Sequence, residues 1–88
     1  MSPAFKRHTR FPGRSRIIVV VTPGDPPPET FSVEIGFGPH GQEETILTAS
    51  RFGEFTMALP MAGLVSFRYQ ALPVGAEIEV AVHKETIE

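Results

Sequence analysis

The sequence predicts a small all-β protein, an antiparallel β-sandwich of the immunoglobulin-like or jelly-roll-like kind with about six strands and an extended N-terminal arm. Apolar residues alternate with polar ones in a series of short segments, as in strands that bury one face in a core. Turns rich in proline and glycine separate these segments. No segment shows the helical period over about ten or more residues.

A small β-barrel is the alternative arrangement of the same strands. The connection over residues 23–29 contains three consecutive prolines, which cannot donate hydrogen bonds to a sheet and favour an extended conformation. A connection of this length suits a link between two sheets better than a tight hairpin, so the sandwich is favoured.

The strands are predicted, in order, at 16–21, 31–37, 43–49, 54–59, 65–71 and 77–83. The clearest is 31–37, where Phe31, Val33, Ile35 and Phe37 alternate with polar residues or glycine. In the segment 43–49 the pattern does not show which side faces the core.

An uninterrupted β-branched run, made of Ile17, Ile18, Val19, Val20 and Val21, opens the first predicted strand. Such a run is typical of a central strand buried on both faces, and this interpretation is favoured. The alternative is an exposed sheet edge that pairs with a strand of another chain.

Charge is distributed unevenly along the 88 residues, although the net charge is only −2. The first sixteen residues contain five of the eight lysines and arginines and no acidic residue. Prolines, a glycine and the absence of any period indicate no local structure there. We therefore expect a basic flexible or partner-bound arm at 1–15 and a single sandwich domain at 16–88.

The residues expected to contact a partner through this arm are Phe5, Lys6, Arg7, Arg10, Phe11, Arg14 and Arg16. An acidic protein surface, such as the body of a second copy, is the favoured partner because the remaining residues are strongly acidic. Nucleic acid is an alternative, since mobile cations release phosphate counterions. The third interpretation is a loose terminus without a role.

The residue types and their spacing argue against a catalytic or metal-binding site. The chain has no cysteine, and no Gly-x-Ser-x-Gly motif positions a nucleophile. His8, His40 and His83 fall in the arm, in a turn and on an outward strand position, without the short spacing of metal ligands. We expect no catalytic residues, no metal, no cofactor and no enzymatic activity.

The segment from Gly53 to Pro60, together with Phe67, Arg68 and Tyr69, resembles the later strands of early-set sandwich domains that accompany starch- and glycogen-acting enzymes. The resemblance implies a sandwich and a sugar-binding surface. Those domains stack sugars on exposed tryptophans, and this chain has no tryptophan. Tyr69 and Phe52 are the aromatic candidates for such a surface.

The lack of recognisable catalytic motifs, together with a basic N-terminal arm, favours a structural or accessory subunit of a larger assembly. An example is a head or tail component of a phage or virus-like particle. Homo-oligomerisation is expected. A nucleic-acid-associated accessory protein and a small ligand- or carbohydrate-binding module are the alternatives. No apolar run in the first sixteen residues has the form of a signal peptide, so we expect a cytoplasmic or virion-associated protein that does not enter the membrane.

Overall fold

Seven antiparallel strands make up the structure, a computed structural model that describes residues 4–85. They are β1 (Lys6–Phe11), β2 (Ser15–Pro23), β3 (Val33–Phe37), β4 (Glu44–Ala49), β5 (Gly53–Leu59), β6 (Gly63–Tyr69) and β7 (Ile78–Lys84). The all-β prediction is confirmed, with one strand more than expected. Within residues 4–85, no helix has the length and apolar character needed to cross a bilayer.

The strands form two sheets that do not close into a barrel. One sheet has four strands in the order β1, β6, β3, β4, and the other has three in the order β5, β2, β7. The arrangement is sandwich-like, and apolar side chains from both sheets form one cluster between them. Its buried members are Phe11, Ile17, Val19, Val21, Phe31, Val33, Ile35, Ala49, Leu59, Val65, Phe67, Ile78 and Val80.

Period-two alternation located β3, β5, β6 and β7 to within a few residues, and the β-branched run located β2. The exception in pattern was β4, whose inward face the sequence does not show. The pairing of β3 with β4 shifts register, so that Ile35 lies opposite Leu47 while Gly36 lies opposite Thr45. Ile46 is the extra residue of this bulge, and both Ile46 and Leu47 pack against the core.

The expected N-terminal arm is corrected by the structure. Residues 6–11 form β1 and pair with β6 along one edge of the four-stranded sheet. Phe5 and Phe11 are buried, with exposed fractions of 7% and 4%. Burial of two large aromatic side chains and a strand pairing hold this segment in place. Residues 1–3 of the expected arm lie outside the described residues.

A β-bulge explains why the sequence pattern concealed β1. The register shifts between Lys6 and Thr9, and Arg7 adopts a left-handed backbone conformation with φ of 56°. The bulge changes the alternation, so Phe11 joins the core while Phe5 covers the opposite face of the sheet at Gly36. Because Phe5 and Phe11 lie on opposite faces of the sheet, the segment shows no two-residue alternation of apolar side chains.

The β-branched run 17–21 lies in β2, the central strand of the three-stranded sheet, paired with β5 and with β7. It is therefore not an edge open to another chain, which corrects that alternative. Burial on both faces is also not observed. Ile17, Val19 and Val21 are fully buried, whereas Ile18 and Val20 point outward and are half-buried.

Candidate functional site

Three side chains with metal-binding chemistry meet on the four-stranded sheet. His8 belongs to β1, His40 to the turn between β3 and β4, and Glu43 immediately precedes β4. Strand β6 separates β1 from β3 in the sheet. The cluster therefore depends on β1 pairing with β6, because this pairing brings the first histidine towards the turn that carries the other two groups.

The ligand atoms of the cluster lie close together. His8 Nε2 is 2.7 Å from His40 Nδ1, and the two rings are nearly perpendicular at 88°. Glu43 Oε2 lies 3.5 Å from His40 Nδ1 and 4.0 Å from His8 Nε2. One carboxylate oxygen thus faces two imidazole nitrogens.

Glu43 is held rigidly within this cluster. Its side chain is only 5% exposed, and its Oε1 atom accepts a hydrogen bond of 2.8 Å from the Gly41 backbone N–H. Desolvation raises the pKa of the Glu43 carboxyl, but backbone N–H groups and the neighbouring histidines outweigh it and lower the pKa below its ordinary value. The group is therefore a carboxylate near neutral pH.

Sequence reasoning missed this cluster. It separated His8 from His40 because one lay in an expected arm and the other in a turn, and the two are 32 positions apart in the sequence. Local spacing detects ligands on one turn or helix, whereas these ligands come together through long-range strand pairing. His83, the remaining histidine, is exposed on β7 and outside the cluster.

A second polar group lies on the same sheet around Glu34. Its carboxylate accepts hydrogen bonds from Arg68 at 2.9 Å, from the Thr45 hydroxyl at 2.8 Å and from the Gln70 amide. Arg68 also lies 4.3 Å from the centre of the Phe5 ring, in a cation–π contact. The Arg68 hydrogen bond, followed by that of Thr45, lowers the pKa of Glu34, although desolvation opposes the shift.

This lowered pKa predicts a pH dependence of stability. A carboxyl with a lower pKa in the folded than in the unfolded chain stabilises the fold above its unfolded pKa, near 4.5, and this contribution disappears as pH falls through the folded value. The wild type should therefore lose unfolding free energy between about pH 7 and pH 3. In Glu34→Gln this loss should be smaller by about 1 kcal/mol, because the variant lacks the carboxyl that becomes protonated. Urea unfolding at both pH values measures it.

The control for that experiment is Glu79→Gln, which alters an exposed carboxylate on β7. It should leave the pH dependence nearly that of the wild type. If Glu34→Gln and Glu79→Gln changed the pH dependence equally, the hydrogen bonds around Glu34 would not be the cause.

The residues expected to contact a partner have different environments in the structure. Phe5 and Phe11 are buried within the protein itself. The Arg7 guanidinium donates a hydrogen bond of 3.1 Å to the Val80 carbonyl of β7 and lies 5.6 Å from the centre of the Phe67 ring. Arg7 thus connects the edges of the two sheets.

The other residues that were expected to contact a partner through the arm are exposed. Arg16 forms an ion pair of 3.0 Å with Glu85, next to the end of β7. Lys6, Arg10 and Arg14 also have exposed side chains, and Arg14 lies in the turn between β1 and β2. We call Arg10, Arg14, Arg16 and Lys84 the basic corner, because they lie near the end of β1, in the turn, at the start of β2 and at the end of β7, which pairs with the start of β2.

Acidic residues collect at the other end of β2. The chain leaves β2 at Pro23, and a backbone hydrogen bond of 2.8 Å from the Gly24 N–H to the Glu77 carbonyl holds the following loop beside the start of β7. We call the exposed carboxylates here, Asp25, Glu29, Glu77 and Glu79, the acidic end. Nine residues of β2, about 26 Å at the usual rise, separate it from the basic corner.

Open clefts occur in both regions. One at the basic corner is lined by Arg14 and Arg16 together with Leu59 and Pro60. One at the acidic end is lined by Glu77 and Glu79 together with apolar side chains. Each region therefore combines charge with an indentation.

The two aromatic residues considered for sugar stacking are engaged within the fold. Phe52 stacks on buried Phe31 with ring centres 4.6 Å apart, and both pack with the core. The Tyr69 hydroxyl donates a hydrogen bond of 3.3 Å to the Ile78 carbonyl. Phe52 is thus part of the core packing, whereas Tyr69 is half-buried and lines the cleft at the acidic end.

Comparison with known proteins found no matching family model, no similar curated protein and no similar solved structure.

Proposed function

We propose that this protein is a non-enzymatic structural or accessory subunit of a larger assembly, such as a head or tail component of a phage or virus-like particle. In this proposal it is a sandwich of the immunoglobulin-like or jelly-roll-like kind that associates head to tail with copies of itself. The observation that supports it is the separation of the basic corner from the acidic end along β2.

Charge complementarity favours a second copy as the partner. The basic corner of one molecule can face the acidic end of the next, and this contact uses two different surfaces of the same chain. Such a heterologous contact generates a ring if its rotation closes and a filament if it does not. One molecule therefore carries both halves of the interface.

The contact should depend on salt. Exposed ion pairs contribute little individually, so attraction between two groups of charges must be collective and must weaken as the Debye length shortens. We expect a higher mass in light scattering after size exclusion at about 0.01 M salt than at about 1 M salt.

Reversing charge at one end tests the surfaces directly. The double variant Arg10→Glu with Arg14→Glu removes the positive charge of the basic corner. The double variant Glu77→Lys with Glu79→Lys removes the negative charge of the acidic end. Each double variant alone should remain monomeric at low salt, because each retains only one functional end. Their equimolar mixture should form a heterodimer through the two unchanged ends.

A matched control keeps the number of reversed charges but reverses two residues that belong to neither surface. Arg51→Glu with Glu44→Lys changes two exposed residues and leaves the basic corner and the acidic end intact. It should associate as the wild type does. A wild type that stays monomeric at low salt, or double variants that associate alone, would contradict the proposal.

A further inference from the structure

We propose that His8, His40 and Glu43 bind one divalent late transition-metal ion, with zinc as the representative. The ligands are one imidazole nitrogen from each histidine and Oε2 of the carboxylate. This property is independent of the proposed head-to-tail association, because neither histidine belongs to the basic corner or the acidic end.

The distances suit a shared ion. Zinc lies about 2.0–2.2 Å from nitrogen and oxygen ligands, which places neighbouring ligand atoms about 3.3 Å apart in a tetrahedral site and about 2.9 Å apart in an octahedral one. The corresponding separations here are 2.7, 3.5 and 4.0 Å. Side-chain rotations of less than about 1 Å at the ligand atoms would equalise them.

Glu43 provides an independent indication of a ligand. Its Oε2 atom is buried and has no hydrogen-bond partner among the described residues, although its Oε1 atom is satisfied by Gly41. A desolvated carboxylate oxygen without a partner is unfavourable, and a cation bound at this position would compensate it. The same oxygen faces both imidazoles, so the place for the cation is defined.

The ligand types select the class of metal. Imidazole nitrogen suits zinc, copper and nickel, whereas calcium and magnesium require mainly oxygen ligands. Three protein ligands leave further coordination positions for water, and the exposed His40 side chain keeps this side open to solvent. We therefore expect a surface site with bound water that excludes hard cations.

Binding would connect β1 to the turn between β3 and β4. These segments lie on either side of β6, and the ion would add a bond across it. Because the folded chain assembles the three ligands and the unfolded chain does not, binding must stabilise the fold. A saturating excess of Zn²⁺ should raise the Tm by at least about 5 °C.

Calorimetric titration of the untagged full chain with Zn²⁺ tests the proposal. We expect one ion per chain, without competition from a large excess of Mg²⁺. His8→Ala and His40→Ala should each weaken binding by more than about 100-fold, since loss of mere supporting contacts around a metal already costs about 10- to 100-fold. His83→Ala is the matched control and should bind as the wild type does.

Electron paramagnetic resonance of the Cu²⁺-loaded chain provides a second measurement. Nitrogen couplings from two imidazoles are expected in the wild type and from one imidazole in His40→Ala. The His40 side chain is 70% exposed, so this variant should retain the wild-type fold, which circular dichroism verifies. Binding that persists unchanged in His40→Ala, or no binding at all, would show that the cluster is a hydrogen-bonded histidine pair without an ion.

Discussion

Removal of residues 1–12 is expected to unfold the protein. The deletion eliminates β1 and removes Phe5 and Phe11, both at most 7% exposed, from their contacts. Burial of one such side chain contributes about 2–3 kcal/mol, and lost strand hydrogen bonds add to this. The sum approaches the roughly 4–13 kcal/mol that stabilises a chain of this length. Loss of the cooperative thermal transition in circular dichroism would measure it.

Two point variants calibrate this experiment. Phe11→Ala should destabilise the fold by about 3–5 kcal/mol, because its ring belongs to the core between the sheets. Lys6→Ala changes an exposed side chain of the same strand and should alter stability by less than about 0.5 kcal/mol. A truncated chain that retains the wild-type Tm would restore the interpretation of this segment as a flexible arm.

Ile17→Ala should destabilise the protein much more than Ile18→Ala. The two isoleucines are consecutive in β2, but Ile17 is fully buried in the core and Ile18 is half-buried on the outer face. We expect losses of about 3 kcal/mol and about 1 kcal/mol respectively, from urea unfolding at neutral pH. Both changes remove the same atoms and the same strand propensity, so their difference isolates burial.

The comparison also tests the one-sided burial of β2. An equal and large loss for both variants would indicate that the outer face of the three-stranded sheet is covered as well. A small loss for both would mean that β2 does not supply the centre of the core.

Sequence patterns were sufficient for six of the seven strands, because β3, β5, β6 and β7 pack alternate apolar side chains against the core and β2 is an uninterrupted apolar run. In β6, for example, Val65 and Phe67 face the core, and the sequence shows their spacing directly. Pairing partners were not predictable to the same degree. Which strands lie side by side depends on contacts between distant segments, and a pattern within one segment carries no information about them.

The site was less predictable than the fold for the same reason. His8 lies next to the bulge at Arg7, where the alternation that identifies a strand is interrupted. Without β1 in the sheet, no argument brings His8 near His40. One feature of the sequence could have indicated that this segment belongs to the sheet. Phe5 and Phe11 are large aromatic residues, and their presence in a basic terminal segment favours burial of that segment over disorder.

The order of strand pairing has a consequence for how the chain folds. Of the five strand pairs, only β3 with β4 joins neighbours in sequence. Ser15–Pro23, the most apolar strand, has no partner until Gly53–Leu59 has been synthesised, which takes about 2–7 s at roughly 5–20 residues per second. During that interval a nascent chain exposes its most aggregation-prone segment, so its yield in cells should depend on chaperones more than its final stability suggests.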